Sequence, residues 1–141
     1  MNDGPLARDM HEMVQRIREP LGLDRWNITV ECVTGEQRGA CAASPEYREA
    51  TIVFDLERFE TGDEPAEMVA HECAHPHIWP LHALAESLAD ALASSAPEAM
   101  REPMRVLLQE QVRLAAETVT TDVGHTYLRL LRRAGILETP T

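Results

Sequence analysis

Apolar positions open the chain at the spacing of a helix. Leu6, Met10, Met13, Val14 and Ile17 fall on one face over residues 5–19, and Pro20 ends the pattern. The period then changes to two. Trp26, Ile28, Val30 and Cys32 alternate with Asn27, Thr29 and Glu31, as in a strand with one face buried. Gly39 to Ser44 is a short run of small residues suited to an edge strand, and Pro45 to Glu49 is a turn. Ala50, Ile52, Phe54 and Leu56 alternate with Thr51, Val53 and Asp55, giving a third strand. Three strands so close in sequence predict an antiparallel meander.

From Asp63 onward the pattern is helical. Asp63 can cap, Pro65 suits the first turn, and Glu64 and Glu67 suit the positive end of the helix dipole. Pro76 disfavours helical geometry at the residue before it, so this helix is expected to stop near His75. Pro76 and Pro80 then bracket a tight connection. A second helix is expected from Leu81 to about Ser94, and a third over residues 98–134, with Pro103 near its start. Gly135 is a candidate for the left-handed residue after its last turn, behind Arg129, Arg132 and Arg133. The chain is thus expected to form one α+β domain over residues 1–141: an N-terminal helix, a three-stranded antiparallel sheet, then helices.

Composition narrows the function. At 141 residues the chain has room for one modest core, and with 4% aromatics that core rests on Ala, Leu, Val and Met. The net charge is −11, which offers no electrostatic footprint for nucleic acid or for an anionic membrane. The opening MNDGPLARDM has no apolar stretch, so no secretion signal is expected, and no run suits a membrane span. Three cysteines at irregular spacing do not make a disulfide framework and favour a reducing cytoplasm.

The chemistry lies in His71-Glu72-Cys73-Ala74-His75, an H-E-x-x-H motif. On a helix, positions i and i+4 share a face, so both imidazoles can reach one metal ion, and neutral imidazole suits zinc. Glu72 sits about 100° round the helix from His71. There it can take a proton from a water activated by the metal without itself occupying the ion. This is the chemistry of metal-assisted amide hydrolysis.

A catalytic zinc normally takes three protein ligands and keeps one position open. The chain turns at Pro76, so no third histidine extends the motif. His77 and His82 follow helix breakers and are expected to be exposed. A glutamate from a later helix is the better expectation. On the last helix Leu108, Val112, Ala115, Val119, Val123 and Leu130 form one apolar stripe, the expected core face. A second stripe, roughly opposite, holds Leu107, Glu110, Leu114, Glu117, Thr121 and Leu128. Carboxylates among leucines are costly to bury unless a cation relieves them, which makes Glu110 and Glu117 candidates. Glu86 is a third. Cys73 is expected to be a small buried hydrophobe. Tyr127, His125, Trp79 and the arginine cluster are expected to serve structure.

With these residues in view, the chain resembles the zincin-type metallopeptidases, more narrowly the small phage and prophage metallopeptidase-like domains of gluzincin type. The resemblance runs through Trp26–Val30, Gly39-Ala40, Ala50–Phe54, Val69–His75, Trp79–Leu81 with Ala83–Glu86, Glu117–Thr121 and Leu128–Leu131; only H-E-x-x-H is specific. It implies a zinc-dependent peptidase with zinc held by His71, His75 and Glu117, Glu72 as general base, and a peptide or protein substrate laid along the small-residue edge strand. Cys73-Ala74 and Pro76 depart from the bulkier aliphatics of that family. Two other functions remain open: a metal-stabilised, non-catalytic binding or assembly module, and a regulatory protease cleaving a repressor, which would make Glu86 the ligand.

Overall fold

A computed structural model describes residues 4–35, 40–60 and 64–139. The elements run α1 (Pro5–Arg18), β1 (Asn27–Val33), β2 (Ala40–Ser44), β3 (Glu49–Asp55), α2 (Glu57–Glu60), α3 (Pro65–Ser95) and α4 (Glu98–Arg133). The architecture is α+β, as expected. Asp63 and Gly39, assigned above to a helix cap and a strand, lie outside the described residues.

The sheet is mixed and not a meander. Its order is β1-β3-β2, with β1 parallel to β3 and β2 antiparallel to it. The reason lies in side-chain size. A meander would put Ala40–Ser44 in the centre, where no large side chain is available to fill a core. β3 carries Ile52 and Phe54, both fully buried, and takes the position bonded on both edges. The register sets Ile28 against Ala50, Val30 against Ile52 and Cys32 against Phe54 on one side, and Cys41 against Ile52 on the other. The predicted two-residue alternation holds on β1 and β3, and β2 alternates as well. Asn27, Thr29, Ala42, Ser44 and Thr51 line the opposite, more open face.

The core is closed by α1 and α3. Met10, Val14 and Ile17 of α1 are fully buried, as their spacing predicts, and they join Leu23, Phe54, Val69, Ala70 and Cys73. The His11 ring bridges α1 to β1, with Nε2 3.1 Å from the Val30 carbonyl oxygen. The Arg18 guanidinium donates to the Trp26 carbonyl.

α3 does not break at Pro76. It continues through Pro76 and Pro80 for 31 residues, about 46 Å. Each proline forgoes one helical hydrogen bond and costs about 3 kcal/mol in a free helix. Packing outweighs this, because α3 lies against α1, β2, β3 and α4 along its first half and Pro76 itself is fully buried. The turn expected at 76–80 is therefore absent, and the two helices expected on either side are one. Among the described residues no helix is long and apolar enough to cross a membrane.

α4 runs antiparallel to α3 as the second arm of a hairpin. Its buried face differs from the one predicted. Ala116, Thr120, Gly124, Leu128 and Leu131 face inward, while Val119 and Leu130 are about half exposed. Small side chains, not aliphatic ones, decide where two long helices can approach closely. α4 ends as expected at Gly135, whose φ is +71°. The Gly135 N–H donates to the Arg132 carbonyl (3.0 Å) and the Ile136 N–H to the Leu131 carbonyl (2.9 Å), the two bonds of a Schellman motif. Gly135→Ala is expected to cost about 1 kcal/mol in urea unfolding, because an alanine is strained in this conformation. An unchanged midpoint would show that this end of α4 does not contribute to global stability.

Candidate metal centre

α3 has two working faces. Val69, Ala70 and Cys73 enter the core, whereas His71 and His75 turn toward α4. The two rings sit edge to face one helical turn apart, with centroids 5.0 Å apart and planes at 81°. His71, Glu72 and His75 present three donor atoms that all lie within 4.8 Å of one another.

Glu117 reaches the same imidazoles from α4. Its Oε2 lies 3.5 Å from His71 Nε2 and its Oε1 3.7 Å from His75 Nε2. Donors bound tetrahedrally to zinc at 2.0–2.1 Å stand roughly 3.3 Å apart, so these spacings are close to those of a ligand set. Glu72 Oε2 lies 3.7 Å from His75 Nε2 and has no hydrogen-bond partner, although Glu72 is only 2% exposed. A buried carboxylate oxygen left unpaired is costly, and a cation or a bound water would satisfy it. The donor set and the orphaned oxygen both fit a divalent ion. Depth grades across the site: Glu72 and His75 are buried, His71 is half-buried, and the Glu117 side chain is 47% exposed at the rim.

The electrostatics agree. Burial lowers His75 to about 4 and lowers His71 as well, with Glu117 opposing both shifts. Burial, reinforced by the charge of Glu117, pushes Glu72 up to about 8, while Arg58 opposes it. Both shifts disfavour the charged forms, so burial weakens any ion pairing in the close Glu72–His75 contact. Neutral imidazoles are the form that binds metal, and a cation beside Glu72 would restore its ionised form.

The approach of α4 depends on Gly124. A Cβ at this position would lie 2.9 Å from the His71 Cα and 3.2 Å from its backbone nitrogen. Gly124 is two turns beyond Glu117, so the contact that seats it also holds Glu117 over the imidazoles. Neither Gly124 nor the fully buried Thr120 was singled out in the sequence. The available signal was the small-residue spacing Ala116, Thr120, Gly124 inside a helix otherwise free of glycine.

The remaining candidates sit elsewhere. Glu110 is on the surface, held by Arg113 through contacts of 2.7 and 3.0 Å. Glu86 pairs with His82 at 3.2 Å, and the His82 ring rests against Trp79. His77 and His82 are half-buried, not exposed, because α3 continues past Pro76 and keeps them against its neighbours. His77 Nδ1 lies 2.6 Å from the Tyr127 hydroxyl, so these two residues engage each other. His125 is close enough to lower His71 electrostatically. Cys73 is fully buried in the core, its thiol pushed up by burial. Cys41 on β2 is pushed up to about 12, mainly by burial and further by the charge of Glu72, which places β2 beside the site. Arg132 ties the end of α4 to Glu64 and, at 3.0 Å, to the Glu138 carbonyl.

No known protein family matches the chain, and no curated protein or solved structure is similar enough to match.

Two outcomes follow for the metal-free protein. Gly124→Ala should destabilise it by about 1–3 kcal/mol through overpacking, read from urea unfolding; an unaltered stability would mean α4 can shift at no cost. Glu72 ionises near 4.5 when unfolded but near 8 in the fold, so its penalty grows as pH rises through that window. Glu72→Gln should therefore stabilise the metal-free protein by on the order of 2 kcal/mol at pH 7, with the gain vanishing near pH 4.5. A gain independent of pH would assign the effect to packing.

Proposed function

We propose that the chain is a zinc-dependent metallopeptidase of minimal zincin-like fold that hydrolyses peptide bonds by attack of water. His71, His75 and Glu117 are its metal ligands and Glu72 its general base. The observation that carries this reading is the convergence of two imidazole nitrogens on the Glu117 carboxylate, 3.5 and 3.7 Å away, beside a buried glutamate with an unpartnered oxygen.

Zinc, when bound, supplies Lewis acidity that polarises a carbonyl and acidifies water. The chain supplies the rest. The helical spacing of His71 and His75 fixes their relative orientation, and burial keeps both neutral. Glu72 accepts the proton of the attacking water at Oε2, the oxygen with no competing hydrogen bond, and can return it to the leaving amine. Glu117, half exposed at the rim, leaves one side of the site open to substrate. β2 is an edge strand, and its small residues leave room for an extended peptide to pair along it. Peptide or protein is thus the proposed substrate. The charge of −11 fits neither nucleic acid nor an anionic membrane, and three free cysteines fit a reducing cytoplasm.

The non-catalytic module needs a fourth protein ligand to close the metal. Cys73 lies in the core, His77 engages Tyr127 and His82 engages Glu86, so none of the three supports closure. The repressor-cleaving reading needs Glu86 as ligand, whereas Glu86 pairs with His82 and Glu117 is the carboxylate that meets the imidazoles.

Glu72→Gln should keep one zinc per chain while peptide hydrolysis falls roughly 1,000-fold; equal turnover would remove the general-base role. Glu117→Ala should weaken zinc binding by roughly 100-fold or more, measured by chelator competition, whereas Glu110→Ala and Glu86→Ala should not. A loss confined to Glu110→Ala or Glu86→Ala would move the third ligand.

A further inference from the structure

The outer half of the α3–α4 hairpin is an arm with almost no core of its own. The main core takes nothing between Trp79 and Tyr127. Inside the arm the buried side chains are Ala89, Ala93, Ala96 and Ala116. Residues 81–95 of α3 alone extend about 22 Å. Two helices joined only by alanines bury little apolar area, yet the arm carries large apolar side chains on its outside.

Most of those side chains share one side; Val106 and Leu114 of α4 are exposed outside it. Leu81, Leu84, Leu88 and Leu92 recur at intervals of three and four, which keeps them on one stripe of α3 at 100° per residue. The rotation of α4 against α3 is fixed by Asp90, which accepts from Gln109 Nε2 at 3.1 Å and lies 3.8 Å from Arg105 Nε. With that contact on one side of the hairpin, the leucine stripe of α3 falls on the other. Met100 and Leu107 of α4 fall toward the same side. All six are more than half exposed. Glu86, Asp90, Glu102, Arg105 and Arg113 fall on the opposite side, and Glu110, held by Arg113, borders the apolar side one turn from Leu107.

We propose that this apolar side of the arm binds the same side of a second copy of the chain, forming a two-fold dimer in which the two hairpins make a four-helix bundle. Three observations select a second copy. The first is area. A leucine side chain carries on the order of 100 Å² of apolar surface, so six half-exposed side chains, with the half-buried Met104 and Leu108 beside them, offer roughly 400 Å². A stable interface buries ~800 Å² per partner, of which ~500 Å² is apolar, so the face supplies most of what a dimer needs. The second is charge. Of a net −11, the arm over residues 81–116 carries only −2, from five acids and three arginines, so repulsion between two acidic copies is weak there. The third is geometry. A helical hairpin with one apolar side is self-complementary about a two-fold axis, and pairing supplies the core its alanines do not. This association does not depend on the metal chemistry proposed above.

The test is sedimentation equilibrium on the full chain at tens of micromolar. The expected mass is twice 15.8 kDa. Leu84→Glu with Leu88→Glu should weaken association roughly 100-fold or more, giving one-chain mass with unchanged helical circular dichroism. Ser94→Glu with Val106→Glu adds the same two charges on the side that carries Asp90 and Glu102, and should leave the dimer intact. In the unmutated protein, amide exchange over residues 81–95 should slow as concentration rises, which reads the same contact without any substitution. A monomeric wild-type chain, a dimer that survives the double substitution, or exchange independent of concentration overturns the proposal. A monomer whose arm binds a different protein overturns it as well.

Discussion

The close approach of α4 to α3 at Gly124 and His71 organises the molecule. Two long helices can run this near each other only where a side chain is missing, and a Cβ at Gly124 would fall 2.9 Å from the His71 Cα. Below that contact, Leu128 and Leu131 close the core; above it, Glu117 meets two imidazoles. A displacement of α4 by an ångström would leave the sheet and α1 intact and would separate the carboxylate from the histidines. Stability and the site therefore share a helix interface built from small residues.

The site itself costs stability. Glu72 is buried with an unpartnered oxygen, and burial drives both its own carboxyl and the neighbouring imidazoles toward their neutral forms. Nothing in the packing of Val69, Ala70 and Cys73 requires a glutamate between them. Local inconsistency of this kind marks functional positions, where a group is kept for what it meets and not for how it packs. The two prolines inside α3 are a second local inconsistency, offset by the packing of the helix around Pro76. Pro76 removes the helical hydrogen bond to the carbonyl of Glu72, one turn before it.

Much of this was legible in the chain. The one-faced pattern of Met10, Val14 and Ile17, the alternation of Ile52 with its neighbours, the H-E-x-x-H spacing and the glycine after α4 all report local geometry, which sequence encodes directly. The parallel pairing of β1 with β3 was not legible, because strand order is settled by which strand fills the centre best and not by proximity along the chain. The continuity of α3 was obscured by Pro76 and Pro80, whose local penalty is outweighed by contacts that no local pattern contains. The inward face of α4 is hidden from periodicity because a stripe of valines and leucines outranks Ala116, Thr120 and Gly124 in hydrophobicity. Glu117 could be nominated, yet its meeting with the imidazoles depends on a glycine that periodicity passes over.

The central claim, that two imidazoles and the Glu117 carboxylate share one zinc ion, is tested most directly by X-ray absorption at the zinc edge of the full chain loaded with one equivalent. Four nitrogen or oxygen neighbours near 2.0–2.1 Å, two with the outer-shell signature of imidazole and none a sulfur, are the predicted result. A sulfur neighbour near 2.3 Å, or a single imidazole, would contradict it by drawing in a cysteine or separating the histidines.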